Sequence, residues 1–453
     1  MTTYKLIRPD DLRLLDDAAA VLNAGFDTLP EFEPEADSTT LHATLQTLAE
    51  KLQDNYPYAH PLYAGQMLKP PHPVARAAYQ LAQWINPNNH ALDGGRATSA
   101  LEKEAVAEIA AMFSLTPFLG HLTSSGTLAN LEALWIAGKE RPGQRIVGSS
   151  EAHYTHARIS DVLKLDYQPL ETDDNGRIAV PALQELAASG VIGTVVATAG
   201  TTRFGAVDPI ADIIDLGHEY GFRVHIDGAY GGYFGLADLP ETLKRHYTAI
   251  AQADSIAIDP HKHGLQPYGC GCVLFSDPSV GRYYQHDSPY TYFSSNELHL
   301  GEISLECSRA GAAAAALWAT QSMLPLTSTG EFAKNLSRCR RAAQAMAEDL
   351  AADARFALVQ LPELDIVVWA VSAETASRAS HLASRVFDIA AENDLHLALI
   401  EVDVDRLDTS STIQADQATI TCLRSCLMKP EHEAWQLEIF NRLVAATEAS
   451  LAE

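Results

Sequence analysis

Two hydrophobic periods alternate along most of the chain. Apolar residues recur at helical spacing over 10–24 and 39–52, with a Pro/Glu-rich break at Leu29 to Pro34 between them. Residues 58–73 hold too many prolines for regular structure, and long aromatic loops of this kind often border sites. A helix is predicted over 74–85, ended by Asn86-Pro-Asn-Asn. Ser99-Ala-Leu-Glu102 has the pattern of a capping box and predicts a helix from there to about Phe113. Strands then alternate with helices: strand 145–149, helices 157–163 and 181–189, strand 191–198, helix 210–220, strands 223–227 and 255–258. This alternation predicts a mostly parallel sheet covered on both faces. After a helix of small residues, Ala310 to Trp318, a boundary is expected at Pro325 and residues 327–330. Beyond it, helices 332–350, 374–393 and 431–451 and strands 366–371, 396–402 and 419–427 predict a smaller α+β unit, with a polar hairpin loop over 403–416. The expected division is a helical arm at 1–56, a large domain at 57–325 and a small C-terminal domain at 326–453.

Length and charge narrow the class. At 453 residues the chain exceeds one typical core. Its apolar fraction of 47% and charged fraction of 20% are those of an ordinary globular protein. A net charge of −26 argues against a nucleic-acid or anionic-membrane surface. The first ten residues contain no signal-peptide core, and the longest apolar runs are too short to span a bilayer, so a cytoplasmic protein is expected. Six cysteines, all at or after Cys270, are too few for a disulfide framework. Cys270 and Cys272 near His261 and His263 raise the question of zinc. They lie in an expected buried strand, and the reading is core packing with no metal.

The chemistry concentrates at strand ends. Ser255 to Phe275 runs from an apolar strand through Asp-Pro-His-Lys262 into a second apolar run, and Arg223-Val-His-Ile-Asp227 ends in Gly-Ala-Tyr-Gly-Gly. Ligands of α/β sheets bind outside such carboxyl ends. The stretch from His121 passes from strand to helix through Ser124, Ser125, Gly126 and Thr127, where free N–H groups and the helix dipole make an anion site. Taken singly, each has a plainer explanation: Asp227 as a turn former before Gly228, Lys262 as a surface lysine, His153 and His261 as loop histidines, the hydroxyl residues as N-caps. Together, an amine, a carboxylate and a phosphate cradle are the set that pyridoxal 5′-phosphate needs.

Thr123-Ser-Ser-Gly-Thr-Leu-Ala-Asn130, Ala152-His153-Tyr, Thr198-Ala-Gly-Thr-Thr202, His225-Ile-Asp-Gly-Ala-Tyr-Gly-Gly232, Asp259-Pro-His-Lys262, Glu306-Cys-Ser-Arg309 and Leu423-Arg-Ser-Cys-Leu-Met-Lys-Pro430 follow in an order that resembles the pyridoxal phosphate-dependent group II amino-acid decarboxylases, over roughly residues 55–430. The resemblance implies fold type I of the aspartate aminotransferase superfamily: a large domain with a mainly parallel seven-stranded sheet, a small C-terminal domain, and a homodimer with interfacial active sites. It implies that Lys262 carries the cofactor as a Schiff base, and that Asp227 pairs with the pyridine nitrogen. His153 would stack on the ring, with Ala229 beneath its other face. Gly126 and Thr127 would hold the phosphate with Ser125 close by. Thr201 would lie near the ring substituents, and His261 against phosphate or substrate.

The expected reaction is decarboxylation of an L-amino acid through a quinonoid carbanion. The resemblance implies a tyrosine soon after the lysine as proton donor, with Tyr290 ahead of Tyr292 as the candidate. Arg424 is open between holding a substrate carboxylate and forming a structural ion pair. Gly228, His263-Gly264 and Gly271-Cys272 depart from the family pattern near the pocket. The alternatives are another fold type I reaction (carbon–carbon lyase, aldolase or aminotransferase) and a non-catalytic cofactor-binding protein.

Overall fold

A computed structural model describes residues 6–32, 38–90, 94–285, 304–407 and 413–452. Its larger sheet has seven strands in the order β1-β7-β6-β5-β4-β2-β3: β1 (Leu119–Thr123), β2 (Arg145–Ser149), β3 (Tyr167–Leu170), β4 (Ile192–Thr198), β5 (Arg223–Asp227), β6 (Ser255–Ile258) and β7 (Gly271–Phe275). The run β6-β5-β4-β2-β3 is parallel. β4 is buried along its whole length, which explains its unbroken apolar run: helices cover both of its faces. Helices α1 (Pro9–Ala24), α2 (Ser38–Leu52), α3 (Pro73–Gln83), α4 (Arg96–Met112), α5 (Gly126–Glu140), α6 (Thr155–Leu163), α7 (Val180–Ala188), α8 (Ile210–Tyr220), α9 (Glu241–Ala249) and α10 (Gly311–Met323) precede or flank this sheet. Among the described residues no helix is long and apolar enough to cross a membrane.

The second sheet is antiparallel, in the order β10-β11-β9-β8, from β8 (Phe356–Leu358), β9 (Ile366–Val371), β10 (Ala398–Asp403) and β11 (Thr419–Cys426). Helices α11 (Glu331–Ala352), α12 (Ala376–Glu392) and α13 (His432–Leu451) pack on it around Trp369, Met346 and Leu443. Packing crosses the expected boundary in both directions. Phe332, Ala333 and Leu336, on the first turns of α11, belong to the large core, while Leu62 and Ala64 belong to the small one.

One local expectation is revised, and three elements escaped the sequence pattern. Ser99 and Glu102 are not a capping box: α4 begins at Arg96 with Gly95 as its cap, so both lie inside the helix and are buried. Strand β3 escapes the pattern because Pro169 interrupts it, which an edge strand tolerates. Helix α9, with the polar sequence ETLKRHYTA, gives little apolar signal. Strand β8 has three residues, too few for a visible alternation.

Candidate active site

Strand direction brings the site together. β7 is antiparallel to both β6 and β1, so β1 points the same way as β4, β5 and β6. The carboxyl ends of these four strands, and the segments leaving them, therefore open on one side. β1 leads through Ser124 and Ser125 into the start of α5; β5 ends at Asp227; β6 leads through Asp259 to Lys262. One cavity there is lined by Gly126, Thr127, His153, Asp227, Ala229 and Lys262, together with Asn130, Thr155, Thr198, Gly200, Thr202, Tyr230 and Asp259.

The two residues at the heart of the reading occupy distinct environments. Lys262 Nζ lies 3.0 Å from Asp259 Oδ2, and its side chain is partly exposed. Asp227 is buried, with Oδ2 2.7 Å from His156 Nε2 and Oδ1 accepting the Ala229 N–H at 3.1 Å. Burial alone would raise the Asp227 carboxyl. The hydrogen bond and charge of His156, then the charge of Lys262, hold it below the usual carboxylate range instead. Behind it, His225 Nε2 lies 2.7 Å from Asn130 Oδ1 and Nδ1 lies 2.9 Å from Ser255 Oγ, so the imidazole is clamped on both sides. Burial lowers its pKa to about 3, keeping it neutral.

His153 stands just before α6, its Nδ1 accepting the Thr155 N–H at 3.3 Å; burial lowers its pKa and Asp227 opposes that. Ser125 caps α5, accepting the Leu128 N–H at 3.3 Å. The first N–H groups of that helix, at Gly126 and Thr127, have no partner within the helix. A Cβ at Gly126 would sit 2.6 Å from both Asp259 carboxylate oxygens, so only glycine lets the helix start approach that acid. Gly228 has a similar reason: a Cβ there would lie 3.1 Å from Ala257 O and 3.2 Å from Gly232 Cα, crowding β5 against β6.

Other expected residues are not brought to this cavity. Thr201 is fully buried and its hydroxyl accepts the Ala206 N–H, closing its own turn; its neighbours Gly200 and Thr202 line the cavity in its place. His261 packs against Tyr268 at 5.1 Å, with Nε2 3.5 Å from Asp259. Arg424, in β11, donates to Thr202 O at 2.8 Å and Gln66 Oε1 at 3.1 Å and makes no ion pair among the described residues. Tyr290 and Tyr292 lie outside the described residues. Sequence reasoning missed His156, whose one available signal is its place a helical turn after His153, and Asp259, quoted in the lysine motif without a role.

Comparison with known proteins decides the family. The model described as the pyridoxal-dependent decarboxylase conserved domain matches residues 74–372. The chain belongs to this family. It is similar to proteins named probable L-tyrosine/L-aspartate decarboxylase from Methanothrix thermoacetophila (31% identity, 72% of this chain and 80% of that one) and Methanothermobacter thermautotrophicus (29%, 67% and 82%). Among solved structures, mouse CSAD superposes with a TM-score of 0.79 at 19% identity, over 98% of this chain and 92% of that one. The decarboxylase thus has the fold type I architecture and is a pyridoxal phosphate-dependent carboxy-lyase acting on an amino acid.

The residues present fit that cofactor. Asp259 Oδ1 and Thr198 Oγ1 are buried without hydrogen-bond partners at the cavity, unpaired helix-start N–H groups face it, and a primary amine and an ionised carboxylate open onto it.

Proposed function

We propose that Lys262 holds the cofactor aldehyde through Nζ, that Asp227 faces its ring nitrogen, that His153 covers one ring face and Ala229 the other, and that Gly126 and Thr127 hold the phosphate, with Ser125 fixing the helix start. The observation that carries this reading is the convergence of Lys262, Asp227 and the start of α5 on one cavity. Bound pyridoxal phosphate supplies an electron sink for the bonds around a substrate Cα.

The chain's own residues supply the rest. Lys262 Nζ, 3.0 Å from Asp259 Oδ2, is positioned by that carboxylate at the cavity, where it acts as the nucleophile. Asp227, kept ionised by His156, favours a proton on the atom it faces. Loss of CO2 leaves an electron pair at Cα, and a proton delivered there completes the amine. Tyr290 is the proposed donor, with Tyr292 second. His261, its Nε2 3.5 Å from Asp259 Oδ2, is proposed to contact phosphate or substrate at the edge of the site.

The names of the relatives make L-tyrosine and L-aspartate the first substrates to test. Arg424, with no acidic partner among the described residues and Nε unpaired, is proposed for a substrate carboxylate in preference to a structural ion pair. A homodimer in the cytoplasm is also proposed. Helix α1 buries no residue, and α2 exposes Leu41, Leu45, Leu48 and Leu52 in one stripe, a surface that a second copy would cover.

The test is CO2 release from a panel of L-amino acids, with visible absorbance recorded alongside. Wild type should be yellow and release CO2 from at least one member; Lys262→Ala should do neither. A colourless wild type would overturn the assignment. Tyr290→Phe should keep CO2 release and impair protonation at Cα; the same phenotype in Tyr292→Phe alone would move that role.

A further inference from the structure

A second cavity, of about 250 Å³, lies between the irregular segment 69–73, the start of α11 and the turn 429–431. Its polar lining is cationic: Lys69, Lys429 and Arg338 against one carboxylate, Glu431. In a chain of net charge −26, such a wall is not background. Lys429 is only 4% exposed. Its Nζ donates to Tyr63 O and lies 5.3 Å from the Tyr63 ring centre. Lys69 Nζ donates to Met428 O at 3.1 Å. Neither ammonium has a carboxylate within 4.0 Å among the described residues.

An ammonium has three donors, and each of these lysines uses one. Burying such a charge without a counter-ion costs several kcal/mol. Burial and the charge of Lys69 push the pKa of Lys429 down to about 7, and burial lowers that of Lys69 as well. Nearby acids relieve this only in part: the charge of Glu431 opposes the shift of both lysines and that of Asp365 opposes it in Lys69, without an ion pair to either. Asp365 is held by Tyr230 Oη at 2.7 Å and lies 3.2 Å from His263 Nε2, Glu433 pairs with Arg338 and Arg341, and burial raises the thiols of Cys339 and Cys426, keeping them neutral. What the two lysine ammonium groups lack, among the described residues, is a negatively charged oxygen within ion-pair distance, Glu431 on the same wall included. The volume suits one: a water takes about 30 Å³ of liquid, so a tetrahedral or carboxylate anion fits with solvent to spare.

We infer that the cavity between Lys69, Lys429 and Arg338 binds a small oxyanion, phosphate or carboxylate, at a site separate from the one at Lys262. The two cavities have no lining residue in common, but His263, which lines the second, directly follows Lys262 in the chain.

The test is a thermal melt and calorimetric titration of the holoenzyme, its own phosphate site filled, at constant ionic strength against sodium phosphate, sodium malonate and sodium chloride. Phosphate or malonate should bind saturably and raise the melting temperature by several degrees, with chloride inert; the tighter of the two identifies the anion class. Lys429→Met and Lys69→Met should each weaken binding at least tenfold while keeping the visible absorbance of bound cofactor, which certifies the fold. Binding of neither oxyanion to wild type, or equal binding to wild type and both variants, would overturn the inference.

Discussion

His156 Nε2 and Asp227 Oδ2 are 2.7 Å apart, both buried, one on helix α6 and the other at the tip of strand β5. A hydrogen bond to a charged group contributes about 1.5–3 kcal/mol, and here it opposes the burial that would otherwise protonate the carboxylate. His156→Phe should therefore lower kcat by roughly tenfold or more, with a smaller change in KM, since 1.4 kcal/mol is about a factor of ten. It should also move the pH dependence of the cofactor absorbance. Unchanged kcat and an unchanged spectrum would show that Asp227 is held by the Ala229 N–H alone.

At the start of α5, Gly126→Ala would press a Cβ into the Asp259 carboxylate at 2.6 Å. The acid is buried and carries Lys262, so it has little room to retreat. Cofactor affinity, measured by equilibrium dialysis, should fall about tenfold, and the urea midpoint should fall with it, because the helix start or the buried acid must shift to relieve the clash.

The ion pair between Glu102 and Arg309, 2.7 Å apart and buried, is a stability lever near the site. Glu102 also accepts the Leu122 N–H at 3.0 Å and a hydrogen bond from Asn89, joining α4, β1 and the segment before α10. Glu102→Ala takes a buried carboxylate away from a buried guanidinium and should cost about 3–5 kcal/mol in urea unfolding. A loss under about 1 kcal/mol would mean that Arg309 finds its needed acceptors in Leu122 O and Asn89 O.

Acid should unfold the protein through a small set of carboxylates. In Asp227, Asp365 and Glu102 burial favours the neutral form, but His156, His263 and Arg309 respectively hold each carboxyl below its ordinary value. A depressed folded pKa contributes stability that is present above the unfolded value, about 4, and is lost as pH falls through the lower folded one. The contribution of these groups to the melting temperature should be level above about pH 5 and fall steeply below pH 4. Asp365→Asn should flatten that fall; an identical slope would remove Asp365 from the set.

The architecture was legible wherever local pattern and tertiary role agree. The alternating strands and helices announced the parallel sheet, and Asp227 and Lys262 could be joined because residues at neighbouring strand ends face a common crevice. Long-range partners were not legible. Ser99-Ala-Leu-Glu102 matches a local capping rule, yet Glu102 is bound by Arg309, and nothing near residue 102 announces an arginine so distant in the chain. His156 was passed over for the same reason: its partner sits on another element. Thr201 matched the motif but turned its hydroxyl inward, a difference of backbone direction that one-residue spacing does not reveal.

Strand β7 runs against both of its neighbours, and it alone joins β1 to the rest of the larger sheet. Residues Leu119 and Phe275 thus meet across a long stretch of intervening chain. The larger sheet therefore cannot close over β1 until the chain as far as Phe275 is available to pair with it.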